Sequence, residues 1–112
     1  MIQGYQKGSR MSQAVCYGGF VYIVDPGDRK AGIEDLTSDV LGKIDALLKE
    51  AGIDHSRLIA VNRLPAGDRR FRRNEQRHDG WIDVENPPAR ACLEARLADR
   101  DLRVEMTAVA AL

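Results

Sequence analysis

The stretch Asn86-Pro87-Pro88-Ala89-Arg90-Ala91-Cys92-Leu93-Glu94-Ala95-Arg96-Leu97 decides how we interpret this sequence. Proline has no backbone N–H, so the Pro87–Pro88 pair ends any preceding helix and starts an extended segment. From Arg90 onward polar residues alternate with small apolar ones, which predicts a strand with two unlike faces. We expect the apolar face to pack under helices, and the face that carries Arg90 to meet water or to line a site.

The rest of the chain predicts alternating strands and helices in a definite order. A Gly18–Gly19 pair between two apolar runs is typical of a β-hairpin. Apolar residues at spacings of three and four predict a long amphipathic helix, and Gly52 ends it. The predicted elements of the first half are an extended arm or edge strand in 1–11, strands at 12–17 and 20–24, a turn at 25–28 and a helix from Ile33 to Ala51. A loop at 54–56, a central strand at 58–64 and a helix from Asp68 or Arg69 to about Val84 follow. The last predicted elements are a strand from Arg90 to Leu97, a turn at 98–101 and a strand at 102–110.

This order, β-β-α-β-α-β-β, predicts an α+β fold in which a mixed sheet carries two helices on one face. A chain of 112 residues is long enough for one hydrophobic core, so we expect a single domain over 1–112. Two helices cover only one face of such a sheet. We therefore infer that the other face meets further subunits.

Composition excludes several classes of function. The 17 basic and 17 acidic residues give a formal net charge of zero, which argues against a general binder of nucleic acid or membrane surfaces. The absence of a long apolar run and of a signal peptide predicts a cytoplasmic protein without a membrane span. Cys16 and Cys92 are expected to be free thiols, and neither His55 nor His78 has metal-ligand spacing, so we predict no metal.

One local charge run stands out, Arg69-Arg70-Phe71-Arg72-Arg73 with Arg77. We interpret it as a solvated helix face whose arginine stems cover apolar surface. The alternative is an RNA contact in which Phe71 stacks on a base.

The segment Pro88-Ala89-Arg90-Ala91-Cys92-Leu93-Glu94, with Val104-Glu105-Met106, resembles the C-terminal signature of the RidA (YjgF-like) family of reactive-intermediate deaminases. The resemblance continues through Arg10-Met11-Ser12-Gln13-Ala14-Val15, Val21-Tyr22-Ile23 and the helix around Val40–Leu48. It implies a chorismate-mutase-like fold and a homotrimer with clefts between subunits. It also implies a deaminase without a cofactor that hydrolyses 2-imino acids, of the 2-iminobutanoate or 2-iminopropanoate type, to 2-oxo acids and ammonia.

The same resemblance assigns roles to individual residues. Arg90 would bind the substrate carboxylate through its planar guanidinium, and Glu105 would orient the attacking water. We expect Cys92, Tyr17 and Met11 to contribute to substrate binding. The residues alone leave alternatives open: Arg90 could pair with Glu94 or Glu105, and Glu105 could pair with Arg96 or Arg103.

The chain departs from the family after the second strand. Relatives commonly have a Gly-Gln pair there that helps to shape the pocket, whereas this chain has Asp25-Pro26-Gly27. The tyrosine that some branches have near the N-terminus corresponds to Met11. Two further functions therefore stay open: a trimeric module that binds small carboxylates without turnover, and a ribonuclease or translation inhibitor, as some family members have been described.

Overall fold

The computed structural model describes residues 1–25, 33–65, 80–98 and 104–112, with the backbone alone for residues 33–39 and 65. Its first three strands are β1 (Gln3–Lys7), β2 (Ser12–Tyr17) and β3 (Phe20–Asp25), which pair antiparallel in chain order. Gly18 and Gly19 turn the β2–β3 hairpin with φ angles of +63° and +85°, as a two-residue primed turn requires. The predicted hairpin and the predicted N-terminal edge strand are both confirmed.

The long helix α1 runs from Ile33 to Glu50 and confirms the predicted amphipathic helix. Its large apolar side chains are almost fully buried where they are described, at Val40, Leu41, Ile44, Leu47 and Leu48. Gly52 follows with a φ of +85°. The Gly52 N–H donates to the carbonyl of Lys49 and the Ile53 N–H to that of Leu48, both at 2.9 Å. This pair of bonds is the Schellman motif that closes a helix at a left-handed glycine.

A short 3₁₀ turn over His55–Arg57 leads into β4 (Leu58–Pro65), which is followed by β5 (Ala89–Cys92) and β6 (Val104–Ala111). The predicted loop at residues 54–56 is thus a capped 3₁₀ turn, because Asp54 accepts a hydrogen bond from the Ser56 N–H. The six strands form one sheet in the order β1-β2-β3-β6-β4-β5. Only the β4–β5 pair is parallel within this sheet, so the predicted mixed sheet and α+β fold are confirmed.

Strand β4 lies inside the sheet, between β6 and β5, as its continuous apolar pattern predicts. A bulge interrupts its pairing with β6, since Leu58 pairs with Ala110 and Ala60 with Val109. Ile59 is the extra residue and is 41% exposed. The bulge shifts the alternation by one residue, so that Leu58 and Val61, three positions apart, both reach the core.

The predicted second helix falls mostly outside the described residues, as do the 26–28 part of the predicted turn, the arginine run at 69–73 with Arg77, and His78. Gly80 and Trp81 are helical, and the chain leaves the helix at Ile82. The predicted end near Val84 was therefore wrong by about one turn. Trp81 packs against the core that α1 and the sheet enclose. None of the helices in the described ranges is long and apolar enough to cross a membrane.

Candidate functional site

Strand β5 carries Arg90 at one edge of the sheet. It pairs with β4 alone, in a parallel register that places Arg90 beside Val61 and Cys92 beside Arg63. Residues paired in this way point to the same side of a sheet. Val61 and Arg63 are fully buried on the side that α1 covers. Arg90 and Cys92 therefore lie at the outer margin of the covered face, where Arg90 is exposed and Cys92 is half-buried.

Two predictions about this strand were wrong. The strand ends at Cys92 rather than Leu97, with one further bond from the Leu93 N–H to the carbonyl of Arg63 at 2.9 Å. The predicted apolar face does not pack under a helix either, because Ala91 pairs with the exposed Asn62 on the uncovered side. The parallel register with β4 determines which face of the sheet each residue of β5 occupies. It places Arg90 and Cys92 on the face that α1 covers.

The predicted hairpin between the last two strands was also wrong. Strand β6 pairs with β3 and β4, so β4 separates it from β5. Glu105 pairs with Leu64 and is half-buried, whereas its neighbours Val104 and Met106 are buried on the covered face. Glu105 therefore projects from the uncovered face. Within one chain Arg90 and Glu105 lie two strands apart, roughly 10 Å by strand spacing, and on opposite faces of the sheet.

Met11 and Tyr17 lie at opposite ends of β2, and both are exposed. Met11 precedes Ser12, which pairs with Lys7, whereas Tyr17 closes the hairpin opposite Phe20. The six residues of β2 span about 20 Å at the usual rise per residue, so one chain does not bring the two side chains together. Met11 lies at the end of the sheet that also holds Cys92.

Sequence reasoning missed two buried charges on the covered face. Asp25 is 3% exposed and Arg63 is fully buried, and each of them pairs with Met106 across the sheet. A carboxylate and a guanidinium thus flank one methionine beneath α1, an arrangement that is favourable only if both groups have polar partners. The alternation along the strands could have predicted both buried charges, because residues two positions apart lie on the same face of a sheet. Arg63 is two residues from the buried Val61, and Asp25 is two residues from the buried Ile23.

A second polar cluster, also not predicted, joins α1 to the segments that follow it. The Asp45 carboxylate accepts a hydrogen bond from the Trp81 indole N–H at 2.8 Å and lies 3.1 Å from Nδ1 of His55. The His55 and Trp81 rings are also in contact, with centroids 5.1 Å apart. Within the described part of the chain, no group of three or more His, Cys, Asp or Glu residues could hold a metal ion.

Two pKa values are shifted near this end of α1, away from Arg90. The Ser56 hydroxyl and backbone N–H both donate to Asp54 and hold the pKa of its carboxyl below the ordinary value. Partial burial raises the pKa of the Tyr5 phenol, and a hydrogen bond with Cys16 raises it further. Both shifts have local structural causes, because Asp54 caps the 3₁₀ turn and Tyr5 packs against the core.

Comparisons with known proteins agree with this fold and with the sequence resemblance. The family model described as Endoribonuclease L-PSP matches residues 2–112. A RutC family protein from Haemophilus influenzae is 36% identical over 112 residues, which cover 97% of each chain. A solved structure from Pseudomonas aeruginosa, described as an uncharacterized protein, superposes with a TM-score of 0.93 at 33% identity and covers 99% of this chain and 98% of that chain.

A further solved structure carries the family name that the sequence suggested. It is a member of the YjgF protein family from Neisseria meningitidis, with a TM-score of 0.91, 29% identity, and coverage of 99% of this chain and 94% of that chain. The match extends over nearly the whole length of each partner, so it concerns the complete fold. The chain therefore belongs to the Endoribonuclease L-PSP family, the group that includes the RutC and YjgF proteins and that the Arg90 signature predicts.

Proposed function

We propose that the protein is a deaminase without a cofactor that hydrolyses 2-imino acids, of the 2-iminobutanoate or 2-iminopropanoate type, to 2-oxo acids and ammonia. The observation that carries this proposal is the placement of Arg90. Its exposed side chain leaves an edge strand whose position is set by the Pro87–Pro88 pair and by the parallel register with the buried strand β4. A guanidinium held in this way presents a planar pair of donors to a carboxylate.

The proposed reaction needs one cation and one carboxylate. Arg90 binds the substrate carboxylate, and Glu105 accepts a hydrogen bond from a water molecule and takes its proton as the oxygen attacks. The new C–O bond forms at the carbon of the C=N group as the π bond of that group breaks, and the protonated Glu105 returns its proton to the nitrogen. Glu105 then takes the hydroxyl proton of the resulting carbinolamine and passes it to the amino group. The C–N bond breaks, so that ammonia leaves as the C=O bond of the 2-oxo acid forms.

The distance between Arg90 and Glu105 leads us to place the reaction between chains. The two residues project from opposite faces of one sheet, with β4 between them, so a single chain does not present both to one substrate. A neighbouring copy would bring its Glu105 to the Arg90 edge. The homotrimer implied by the family has clefts of this kind, with Cys92 and Met11 as wall residues and Tyr17 facing the adjoining copy.

The uncovered face of the sheet supports self-association. Tyr17, Phe20 and Tyr22 are 58%, 39% and 50% exposed on neighbouring strands of that face. Beside them lies a shallow groove of about 240 Å³, bounded by Val24, Ala60, Thr107 and Val109 among others. A contiguous apolar surface of this kind on a soluble domain is typical of a protein–protein interface. A second and a third copy of the chain are the occupants that we propose.

The decisive experiment measures ammonia release from freshly generated 2-iminobutanoate. We expect Arg90→Ala to lower kcat/KM by roughly 10- to 100-fold, because a charge-assisted pair of hydrogen bonds to the substrate is lost. Arg90→Lys should recover only part of the activity, since an ammonium cannot bind both carboxylate oxygens in a fixed plane. Glu105→Gln should lower kcat more than it raises KM, because it removes the proton acceptor.

Arg96→Ala is the matched control, because Arg96 is an exposed arginine in the segment that follows the same strand. It should retain the wild-type rate. Equal rates for wild type and Arg90→Ala would end the proposal. Rates that fall equally for the Arg90 and Arg96 variants would also contradict it, since they would reflect general charge rather than a carboxylate contact.

A trimeric carboxylate-binding module without turnover is the second candidate, and the observation that favours it is Asp25. Its carboxylate is buried at the end of β3, where relatives commonly have a small Gly-Gln pair. A negative charge at that place could disfavour an anionic substrate or transition state. Saturable binding of 2-oxobutanoate without ammonia release, abolished by Arg90→Ala, would establish this alternative.

The description of the family model gives ribonuclease activity as a further candidate. We propose to test it on the same preparations by following cleavage of a labelled single-stranded RNA. The arginines of the charge run at residues 69–73 would be the first positions to change. Cleavage that survives further purification and is lost in an Arg72→Ala/Arg73→Ala double variant would support it, and intact RNA would exclude it.

A further inference from the structure

One carboxylate on α1 contacts both segments that lead into the strand pair β4–β5. Asp45 accepts a hydrogen bond from the Trp81 indole N–H at 2.8 Å through one oxygen, and its other oxygen lies 3.1 Å from Nδ1 of His55. The His55 and Trp81 rings are in contact as well, with centroids 5.1 Å apart, so the three side chains form one cluster. We infer that Asp45 is a positioning residue for Arg90, which acts by fixing the starts of β4 and β5 relative to each other.

The cluster lies where these two strands begin. His55 opens the 3₁₀ turn that leads directly into β4 at Leu58, and Trp81 is the last helical residue before β5. Because β4 and β5 run parallel, their first residues lie at the same end of the sheet. One side chain of α1 can therefore hold both starts, and the register between the two strands is the one that places Arg90 beside Val61.

The path from Trp81 to β5 is short and restricted. Residues 82–88 are all that separate Trp81 from the strand. The Glu85 N–H donates to the Asp83 carboxylate at 3.0 Å, which closes a turn, and the Pro87–Pro88 pair limits the backbone just before the strand begins. We therefore expect a shift of Trp81 to move β5 rather than to be absorbed by the segment between them.

Strand β5 is the less firmly held member of the pair. It has four residues and lies at the edge of the described sheet, whereas β4 has eight residues and lies between β6 and β5. Ala89 and Arg90 are exposed, and Cys92 is half-buried. Local opening is easiest where burial and pairing are least. Loss of the Asp45 contacts should therefore loosen β5 before it disturbs the rest of the sheet.

The consequence concerns substrate binding by Arg90, so this inference rests on the proposed function. A guanidinium binds both oxygens of a carboxylate only when its plane is aligned with them, and a misplacement of about 1 Å already weakens such an arrangement. Asp45 has no part in the proposed chemistry and acts only through the strand. Its loss should therefore weaken carboxylate binding more than it slows the chemical step.

The first measurement is amide hydrogen exchange of the intact protein, followed by NMR. The Leu93 N–H, which donates to the carbonyl of Arg63 at 2.9 Å, reports on the β4–β5 pair. We expect Asp45→Ala to accelerate its exchange by about tenfold or more, because the hydrogen bond that the carboxylate accepts is lost. The side chain of Asp45 is 43% exposed, so the variant should still fold. The β2–β3 ladder is the reference and should keep its wild-type rates.

The second measurement is the rate of ammonia release from 2-iminobutanoate. Asp45→Ala should raise KM by about five- to tenfold and change kcat less. Asp45→Asn should recover most of the wild-type KM, since its amide oxygen can still accept the indole hydrogen bond. Val40→Ala is the matched control for stability, because it removes buried atoms from the same helix without touching the cluster. It should leave KM unchanged.

Three results would overturn the inference. Unchanged exchange of the Leu93 N–H in Asp45→Ala, or an equal acceleration in the β2–β3 ladder, would show that the cluster does not hold β5 in particular. Faster exchange with an unchanged KM would show that the cluster stabilises the edge without positioning Arg90. A KM that rises equally in Val40→Ala would reflect stability alone. A wild-type protein that neither releases ammonia nor binds 2-oxobutanoate would instead end the proposed function, and the exchange rates would still decide whether Asp45 fixes β5.

Discussion

The two faces of the sheet have opposite characters, although they alternate residue by residue along the same strands. On the face under α1, Val21, Ile23, Val61 and Met106 are no more than 1% exposed. On the other face, Tyr22 is 50% exposed, although it lies between Val21 and Ile23. Both faces are largely apolar, so hydrophobicity alone does not separate them. What separates them is that α1 covers one face and nothing in the described part of the chain covers the other.

This difference separates the residues that stabilise the fold of one chain, on the covered face, from those that can stabilise an assembly, on the uncovered face. Apolar groups that are removed from water within one chain stabilise the fold of that chain, at about 25 cal/mol per Å² of buried area. The groups on the uncovered face can contribute only when another molecule covers them. Substitutions on the covered face should therefore lower the free energy of unfolding, whereas substitutions on the uncovered face should change the association state.

The largest effect that we predict belongs to Ile44→Ala on the covered face. The Ile44 side chain is fully buried between α1 and the sheet, so its removal leaves a cavity. We expect the free energy of unfolding to fall by about 2–5 kcal/mol. Urea denaturation followed by circular dichroism and by the fluorescence of the single tryptophan, Trp81, measures this change.

Ile59→Ala is the control for Ile44→Ala. It removes the same atoms from the bulge of β4, where the side chain is 41% exposed. The free energy of unfolding should change by less than about 1 kcal/mol, because most surface substitutions have small effects. A loss from Ile59→Ala as large as that from Ile44→Ala would contradict our assignment of the two faces.

The second prediction tests the uncovered face through Tyr22→Asp. A carboxylate at the centre of that face would have to lose its water on association, which costs several kcal/mol without a partner. We expect the particle mass measured by light scattering to fall from that of the trimer that we propose to that of one chain of 12.5 kDa. The far-ultraviolet circular dichroism should stay unchanged, because Tyr22 lies outside the core.

Tyr22→Phe provides the conservative control and should retain the assembled mass, since the apolar ring remains. An unchanged mass for Tyr22→Asp would show that the uncovered face is not the interface. That outcome would also remove our reason for placing Arg90 and Glu105 of different chains in one cleft.

Some of this architecture followed from the sequence because its signals are local. The Gly18–Gly19 turn and the helix-closing Gly52 each depend on a few adjacent residues, and α1 shows its apolar period without interruption. The order of the strands in the sheet, in contrast, depends on contacts between segments that are far apart in the sequence. Consecutive strands are neighbours in only about two-thirds of cases, and nothing in the segment between β5 and β6 indicates that β6 pairs elsewhere.

Only part of the candidate site could be predicted from the sequence. Arg90 is found through a family signature, but its face depends on the register with β4, which the local alternation did not reveal. The contacts of Asp45 with His55 and Trp81 join residues 10 and 36 positions apart, and no spacing rule connects them. Long-range contacts of this kind are decided by packing, so the sequence pattern gives no signal for them.

The third prediction extends the comparison to the flank of α1, where Trp81 packs against the core of the covered face. Trp81→Phe keeps a ring against the core but removes the N–H that donates to Asp45 at 2.8 Å. We expect a loss of about 1 kcal/mol in the free energy of unfolding, a typical value for one partly exposed hydrogen bond. Circular dichroism must report the transition, since the variant has no tryptophan.

The control for Trp81→Phe is Asp45→Asn, which retains an oxygen that can accept the indole hydrogen bond. It should cost less than Trp81→Phe if the bond itself is the main contribution. A Trp81→Phe variant as stable as wild type would show that packing of the aromatic ring against the core is sufficient and that the hydrogen bond to Asp45 contributes little.

The smallest effect that we predict is a gain in stability from Gly42→Ala in α1. Gly42 is exposed in the middle of the helix, and a methyl group at this position would have no atom within 4 Å outside the helix backbone. Alanine restricts the unfolded chain and has the higher helix propensity, so the free energy of unfolding should rise by about 0.5–1 kcal/mol. Gly52→Ala should do the opposite, because its φ of +85° is unfavourable for alanine. If Gly42→Ala lowers stability, the outer surface of α1 is covered by another part of the protein or by a neighbouring chain, and the contrast between an inner buried side and an outer free side of this helix no longer holds.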